Sequence, residues 1–331
     1  MEKIEVFMQQ IDAILAHLDR ENISLLPTPF YRLNTLSELL ERNIYIKRDD
    51  LTGFAFGGNK TRKFDFLIAD ALEKGADTII GIGANQSNFC RILSGVGAKY
   101  GLAVHLILNG TEPKNPTGNL LLDHLFGANV HHIDTTDPAE RFQKAIEIRK
   151  QLEYTGRRVY FLPPGGSTTI GTMGYIAGWG ELMDDFENQQ LKVDKIFHAS
   201  SSAGTQAGLV AGQAITGWQG QIIGISVDVP EMELEKNVFD LAQSAGDFLN
   251  VQIPRSIVTV EDHYIGAGYG KRTEAAAEAI ELFAQKEGVL LDYVYTGKAA
   301  SGLIDYCRSG KIKPDETVVF LHTGGNIQLF E

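Results

Sequence analysis

The feature that most constrains this 331-residue chain is alternation: short apolar runs of strand character take turns with longer segments of helical periodicity along most of its length. Strand-like runs stand at residues 43–47, 78–82, 104–108, 130–133, 159–162, 195–198, 222–227 and 317–321. Between them, Phe64, Leu67, Ile68, Ala71 and Leu72 fall at i, i+3, i+4, i+7 and i+8, the spacing of one helix face. Further helices are predicted from the polar turn 83–88 through Val96, from the Asp137-Pro138 cap to Tyr154, over 172–186, through Ala214, over 271–285 and over 299–306. Strand and helix in alternation predict an α/β chain whose parallel sheets are covered by helices. Ahead of them come a helical stripe (Ile4, Phe7, Met8, Ile11, Ile14, Leu15, Leu18) and an extended arm, Leu25 to Phe30, with Pro27 and Pro29.

Composition narrows the function classes. A mass of 36.3 kDa is enough for two domains with substantial cores. A net charge of −12 argues against nucleic-acid and anionic-membrane partners. The two cysteines, Cys90 and Cys307, form neither a disulfide framework nor a metal-ligand spacing, so a reducing compartment and no catalytic metal are expected. The first residues lack the pattern of a signal peptide, and no apolar run approaches the ~20 residues of a membrane span. A cytoplasmic protein is the expectation.

One stretch breaks a rule of helix electrostatics. Gly57-Gly58-Asn59-Lys60-Thr61-Arg62-Lys63 places three cations in the first turn of a helix, where the backbone dipole favours anions. A bound phosphate or carboxylate, shared by free N–H groups and basic side chains, would resolve the conflict. The same field with partial burial would lower the pKa of Lys60 and free its amine as a nucleophile. The alternative is a solvated basic helix start.

In open α/β sheets ligands lie at the carboxyl ends of strands. Here the segments after strands are polar or glycine-rich: 83–88, Ser200 to Thr205, and His322-Thr323-Gly324-Gly325. Ser201-Ser202-Ala203-Gly204-Thr205 suits an anion, because small residues expose backbone N–H groups just before a helix, although a Ser-rich capping turn reads the same way. The chain holds neither a Walker A loop nor GxGxxG after a strand, which weakens a nucleotide reading. Asn85-Gln86-Ser87-Asn88 offers cap side chains and amides to a carboxylate, and Tyr269 and Tyr295 stand beside glycines.

Together the segments IKRDDLTGFAFGGNKTRK, GANQSNFCR, SSAGTQAGL, GAGYG, YTGKAASGLID and FLHTGG resemble the D-cysteine desulfhydrase and 1-aminocyclopropane-1-carboxylate (ACC) deaminase family of fold-type II pyridoxal phosphate enzymes. They occur in family order from about residue 25 to 327. The resemblance implies a tryptophan synthase β-like fold of two open, twisted, mostly parallel sheets. It also implies a large domain of residues 1–62 and 172–331, a small domain of residues 63–171, and a homodimer.

By the same resemblance pyridoxal 5'-phosphate is the cofactor. Lys60 matches the lysine that carries it covalently and acts as base. Lys63 and the loop Ser202, Ala203, Gly204 and Thr205 match its phosphate ligands. Ser87 and Asn88 match the pair facing the substrate carboxylate, with Asn88 near the ring oxygen, and Tyr269 and Tyr295 match the two active-site tyrosines. ACC deaminases carry Glu where this chain has Thr296 and Leu where it has Thr323, whose hydroxyl in desulfhydrases meets the pyridine nitrogen. Phe89 stands where relatives often have Gln or His. The implied reaction is α,β-elimination from a small β-substituted amino acid, first D-cysteine, giving pyruvate, sulfide and ammonia. L-cysteate or a similar substrate, ACC deamination, and a non-catalytic cofactor-binding protein are the alternatives.

Overall fold

The computed structural model describes residues 11–135 and 137–331. Its elements run β1 (Phe30–Arg32), α1 (Asn34–Leu39), β2 (Asn43–Lys47), α2 (Asn59–Glu73), β3 (Thr78–Ala84), α3 (Asn88–Tyr100), β4 (Ala103–Asn109), α4 (Gly118–Leu125), β5 (Asn129–Ile133), α5 (Pro138–Tyr154) and β6 (Val159–Leu162). Then follow α6 (Thr169–Asn188), β7 (Lys195–Ser200), α7 (Gly204–Thr216), β8 (Gln221–Ser226), α8 (Glu231–Leu249), β9 (Thr259–Glu261), α9 (Glu274–Glu287), α10 (Thr296–Arg308) and β10 (Thr317–Leu321).

The strands form two sheets, one of six in the order β1-β2-β10-β7-β8-β9 and one of four in the order β5-β4-β3-β6. The pairings are parallel except β1 on β2, where the proline-bearing arm turns into an antiparallel edge strand with Phe30 opposite Lys47. Successive residues of a strand face opposite sides, so each sheet buries two apolar surfaces. In the larger sheet Ile196, Ile222 and Val319 pack under α6, α7 and α8, while Phe197, Ile223 and Val318 pack under α9 and α10. In the smaller one Ile79 and Leu106 meet α2 and α3, while Ile80, Ile82 and Ile107 meet Ala145 and Ile148 of α5. The expected α/β architecture of mostly parallel sheets is the one observed. Of the opening helical stripe, Ile11 and Leu15 reach the core beside Trp179, and Ile4, Phe7 and Met8 lie outside the described residues.

A buried ion network fixes how α2 begins. Arg62, 2% exposed, donates through Nε to Asp49 Oδ2 at 2.8 Å and through Nη1 to Glu181 Oε2 at 2.9 Å. Lys47 Nζ adds contacts to Glu181 at 2.6 Å and Asp185 at 2.5 Å, and Tyr175 donates to Asp49 at 2.6 Å. Burial alone would raise the Asp49 carboxyl, but the charge and hydrogen bonds of Arg62 hold it below its ordinary range. The network ties the segment after β2 to α2 and α6. It also corrects the reading of the basic helix start: Arg62 is spent on carboxylates and leaves only Lys60 and Lys63 for an anion.

Removing one partner of a buried ion pair leaves its counter-charge stranded at a cost of about 3–5 kcal/mol. Arg62→Ala is therefore expected to lower unfolding free energy in urea by that amount. Lys74→Ala, which breaks an exposed i,i+4 pair with Asp70, should change it by under ~0.5 kcal/mol.

Candidate active site

The polar segments after β3, β7 and β10 and the start of α2 meet around a cavity of ≈ 490 Å³. Lys60, Ser87, Asn88, Phe89, Ser202, Ala203, Thr205, Tyr269, Tyr295 and Thr323 all line it. Lys63 and Gly204 lie together just behind the wall: a Cβ added to Gly204 would stand 2.5 Å from Lys63 Nζ. The site candidates, Thr296 apart, are thus brought to one place.

One end of the cavity has the chemistry of an anion site. Helix α7 begins at Gly204 with no side-chain cap and no acidic residue in its first turn; Gly204 N donates to Ser202 O at 2.8 Å, while Thr205 N and the positive dipole end are unanswered among the described residues. Ala203, just ahead of it, is held at φ 65, and Gly165 at φ 70 approaches so closely that a Cβ there would strike Ser202. Fully buried Lys63 donates to Gly165 O at 3.1 Å. Burial, then the charge of Lys60, drives its ammonium well below the ordinary lysine range. Ser167 donates to Ser202 at 3.1 Å, and Asn59 Nδ2 donates to Thr205 Oγ1 at 2.9 Å. A phosphate here would pair the buried cation and satisfy the helix, so these residues fit the phosphate end of pyridoxal phosphate.

Lys60 stands half-buried at the cavity wall, and burial lowers its amine to about 8. Asn88 is oriented by its neighbours: its Oδ1 accepts from Arg91 Nη1 and from Asn119 Nδ2, both at 2.9 Å, leaving its Nδ2 as the donor on offer. Arg91 also reaches Gly57 O at 2.6 Å, so one buried guanidinium ties the cap of α3 to the turn before Lys60. Ser87 caps α3 by accepting from Cys90 N at 3.2 Å. Tyr269 and Tyr295 share a 2.6 Å hydroxyl hydrogen bond at the rim. Burial pushes Tyr269 up to about 12, against the pull of that hydrogen bond, and burial with the Tyr269 contact lifts Tyr295 well above its ordinary value.

Two positions behave differently from a linear reading of the sequence. Thr323 is nearly buried at the cavity, yet its hydroxyl makes no hydrogen bond among the described residues; its backbone O accepts from Asn59 N at 2.9 Å. Thr296 is absent from the lining: fully buried, it donates to Asp292 Oδ1 at 2.6 Å, helping Asp292 cap the segment that carries Tyr295. Phe89 lines the cavity while stacking on Phe64, ring centroids 5.6 Å apart. Residue-by-residue reading missed Asp228 and Arg141, which also line it. Asp228 accepts from Ser201 at 2.9 Å, and Arg141 makes no ion pair among the described residues. Neither sits in a motif; the position of Asp228 just past β8 was the only available signal.

Two mostly parallel helix-covered sheets, a lysine of lowered pKa in the cavity and an uncapped helix that begins at the cavity wall are the features of fold-type II pyridoxal phosphate enzymes. The family model described as pyridoxal-phosphate dependent enzyme matches residues 23–324, and the chain belongs to that family, in its ACC deaminase and D-cysteine desulfhydrase group. It is 42% identical over 310 residues to the D-cysteine desulfhydrase of Klebsiella pneumoniae strain 342, covering 92% of this chain and 93% of that one. It is 38% identical over 318 residues, 96% and 94% of the two chains, to a Pyrococcus abyssi protein provisionally named an ACC deaminase. The solved structure of an ACC deaminase homologue superposes with a TM-score of 0.90 at 37% identity, over 97% and 96% of the chains. Threonine deaminase isoform 2 from Solanum lycopersicum, at 18% identity and a TM-score of 0.67 over 97% and 85%, shares the fold. The chain is an enzyme of this lyase group, and its cofactor is pyridoxal phosphate.

Only the neutral amine of Lys60 attacks an aldehyde, and the depressed value of about 8 brings that form within reach of neutral pH. Capture of pyridoxal phosphate by the cofactor-free protein should rise about tenfold per pH unit below 8 and level off above it, followed by absorbance under stopped flow. A rise that continues to pH 10 would mean an unshifted lysine.

Proposed function

We propose that this enzyme removes a β-substituent from a small amino acid, with D-cysteine as the first substrate and pyruvate, sulfide and ammonia as products. When bound, pyridoxal phosphate supplies the electron sink that acidifies the substrate Cα. In this reading Lys63, the serine and threonine hydroxyls and the N–H group of Thr205 would hold its phosphate. Asn88 would hold the cofactor through its free Nδ2. Lys60 would hold it through its side-chain amine and, once free of it, would take the Cα proton as general base. Ser87 and Asn88 face the substrate carboxylate. The hydrogen-bonded Tyr269 and Tyr295 offer a proton near the departing group.

The observation that carries the desulfhydrase reading over ACC ring opening is Thr323. Its neutral hydroxyl lies at the cavity unclaimed by the described residues, and it would serve as a partner for the cofactor's pyridine nitrogen where a leucine would offer nothing. The match to the Klebsiella enzyme supports the same choice. The proposal includes a small domain of residues 63–171, supported by the confinement of the four-stranded sheet to Thr78–Leu162, and a homodimer, supported by exposed Leu25, Leu51 and Phe56.

Sulfide release from D-cysteine, with L-cysteine as the paired control and ammonia release from ACC as the counter-assay, tests the reading. Fast release from the D isomer is expected, and Lys60→Ala should cost ~10³-fold or more in kcat. No sulfide from either isomer while cofactor absorbance persists would remove D-cysteine.

A second reading, an amino acid with an acidic β-group such as L-cysteate, is favoured by Arg141, a cation at the cavity with a buried Nε that finds no acceptor among the described residues. On this reading Arg141→Gln should raise KM for the acidic substrate about tenfold, the value of one charge-assisted hydrogen bond, and leave D-cysteine alone. Equal effects on both substrates would rule it out.

A further inference from the structure

Lys298 is the third residue of α10, a cation near a helix start as Lys60 and Lys63 are, and it does not line the cavity. It is completely buried. Its Nζ donates to three backbone carbonyls and to no carboxylate: Ile265 O at 2.8 Å, Gly268 O at 2.9 Å and Val227 O at 3.3 Å. A protonated amine presents three N–H groups to three acceptors, whereas a neutral amine would present two and set its lone pair against the third. The cradle therefore asks for a cation. Burial pulls the ammonium below the ordinary lysine range, and the charges of Asp228 and Asp292 oppose that pull from a distance.

What the carbonyls belong to gives the cation its purpose. Val227 follows β8 and immediately precedes Asp228 on the cavity wall. Ile265 and Gly268 belong to the loop that delivers Tyr269. That loop turns through Gly266, Gly268 and Gly270 at φ 67, 122 and 68, which aims its carbonyls inward. Two segments distant in sequence are thus clamped to the turn of helix that follows Tyr295. The clamped loop carries Tyr269, whose hydroxyl meets that of Tyr295 at 2.6 Å.

We propose that Lys298 is a positioning residue that serves as a built-in monovalent cation, its ammonium standing where a potassium or ammonium ion would otherwise bridge the Val227 strand end and the 265–270 loop and so hold Tyr269 against Tyr295. A carbonyl-only cradle is the coordination that hard monovalent cations take. The inference does not depend on which amino acid the enzyme consumes, because the clamp is read without turnover.

The test compares wild-type holoenzyme with Lys298→Ala, which removes the ammonium with its three outer methylenes and leaves room for an ion at the carbonyls, and Lys298→Met, which fills most of that space without charge. All are first held in tetramethylammonium buffer, whose cation is too large to enter. Misplacement of a reacting group by about 1 Å costs ~100-fold, so Lys298→Ala should lose about that factor in kcat/KM together with thermal stability. Potassium or ammonium chloride should restore both, saturably, in Lys298→Ala alone. Lys298→Met and wild type should not respond. If wild type turns over no amino acid, the cation-dependent melting temperature of Lys298→Ala still decides the matter. Undiminished activity and stability in Lys298→Ala, or a loss that neither ion reverses, overturns the proposal.

Discussion

The contact between Arg62 and the paired carboxylates of Asp49 and Glu181 is the constraint on which the site depends, because it sets the rotation of α2. On a helix Lys60 and Lys63 are i and i+3 neighbours sharing a face, whereas Arg62 lies about 200° around the axis from Lys60. Locking Arg62 into a buried network on one side therefore presents both lysines to the other. Lys60 reaches the cavity wall and Lys63 reaches the start of α7. Three adjacent cations would repel one another if all faced one ligand. The periodicity separates one cation held in the ion network from two on the cavity side.

That separation also shows which parts of the site were legible in the sequence. Polar and glycine-rich segments after predicted strands located the cavity, since parallel sheets present their strand ends on one side. Breaches of dipole preference located Lys60 and Lys63. The same criterion applied to Lys298 flags a second buried lysine, and helical phase alone sorts Arg62 from its neighbours. Thr296 was not legible: adjacency to Tyr295 suggests a residue in the cavity, but the chain turns between them and its hydroxyl is spent on Asp292. Arg141 was beyond reach for another reason. It comes from α5, which follows β5 at the edge of the four-stranded sheet, and only tertiary packing brings that helix start to the cavity. Helix α8 carries its apolar spacing in Leu234, Val238, Ala242 and Ala245, a narrow stripe among charged residues.

Asp292 and Lys298 form a complementary pair of devices around the start of α10. Asp292 accepts from the N–H groups of Val294, Tyr295 and Thr296, the response a helix start ordinarily receives. Lys298, one turn later, turns instead to carbonyls of other segments. The carboxylate fixes the backbone of one active-site tyrosine and the ammonium fixes the loop of the other. Neither group needs to touch substrate to decide where the two phenols meet.

The field in the cavity runs against the charge of the molecule. The chain carries −12 overall, yet the starts of α2, α3, α7 and α10 converge on one cavity, and each contributes the positive end of its backbone dipole. Lys60, Lys63 and Arg141 add to that field, and Asp228, its carboxyl raised first by burial, is the acid on the lining. Such a site draws in anions while the acidic surface discourages nonspecific polyanions. Before any anion arrives the same concentration of positive potential holds Lys60 and Lys63 in tension, which burial relieves by favouring their neutral amines. A phosphate seated at the start of α7 would stabilise the charged form of Lys63. It would thereby remove Lys63 as a proton competitor and leave Lys60 as the amine free to exchange a proton with substrate.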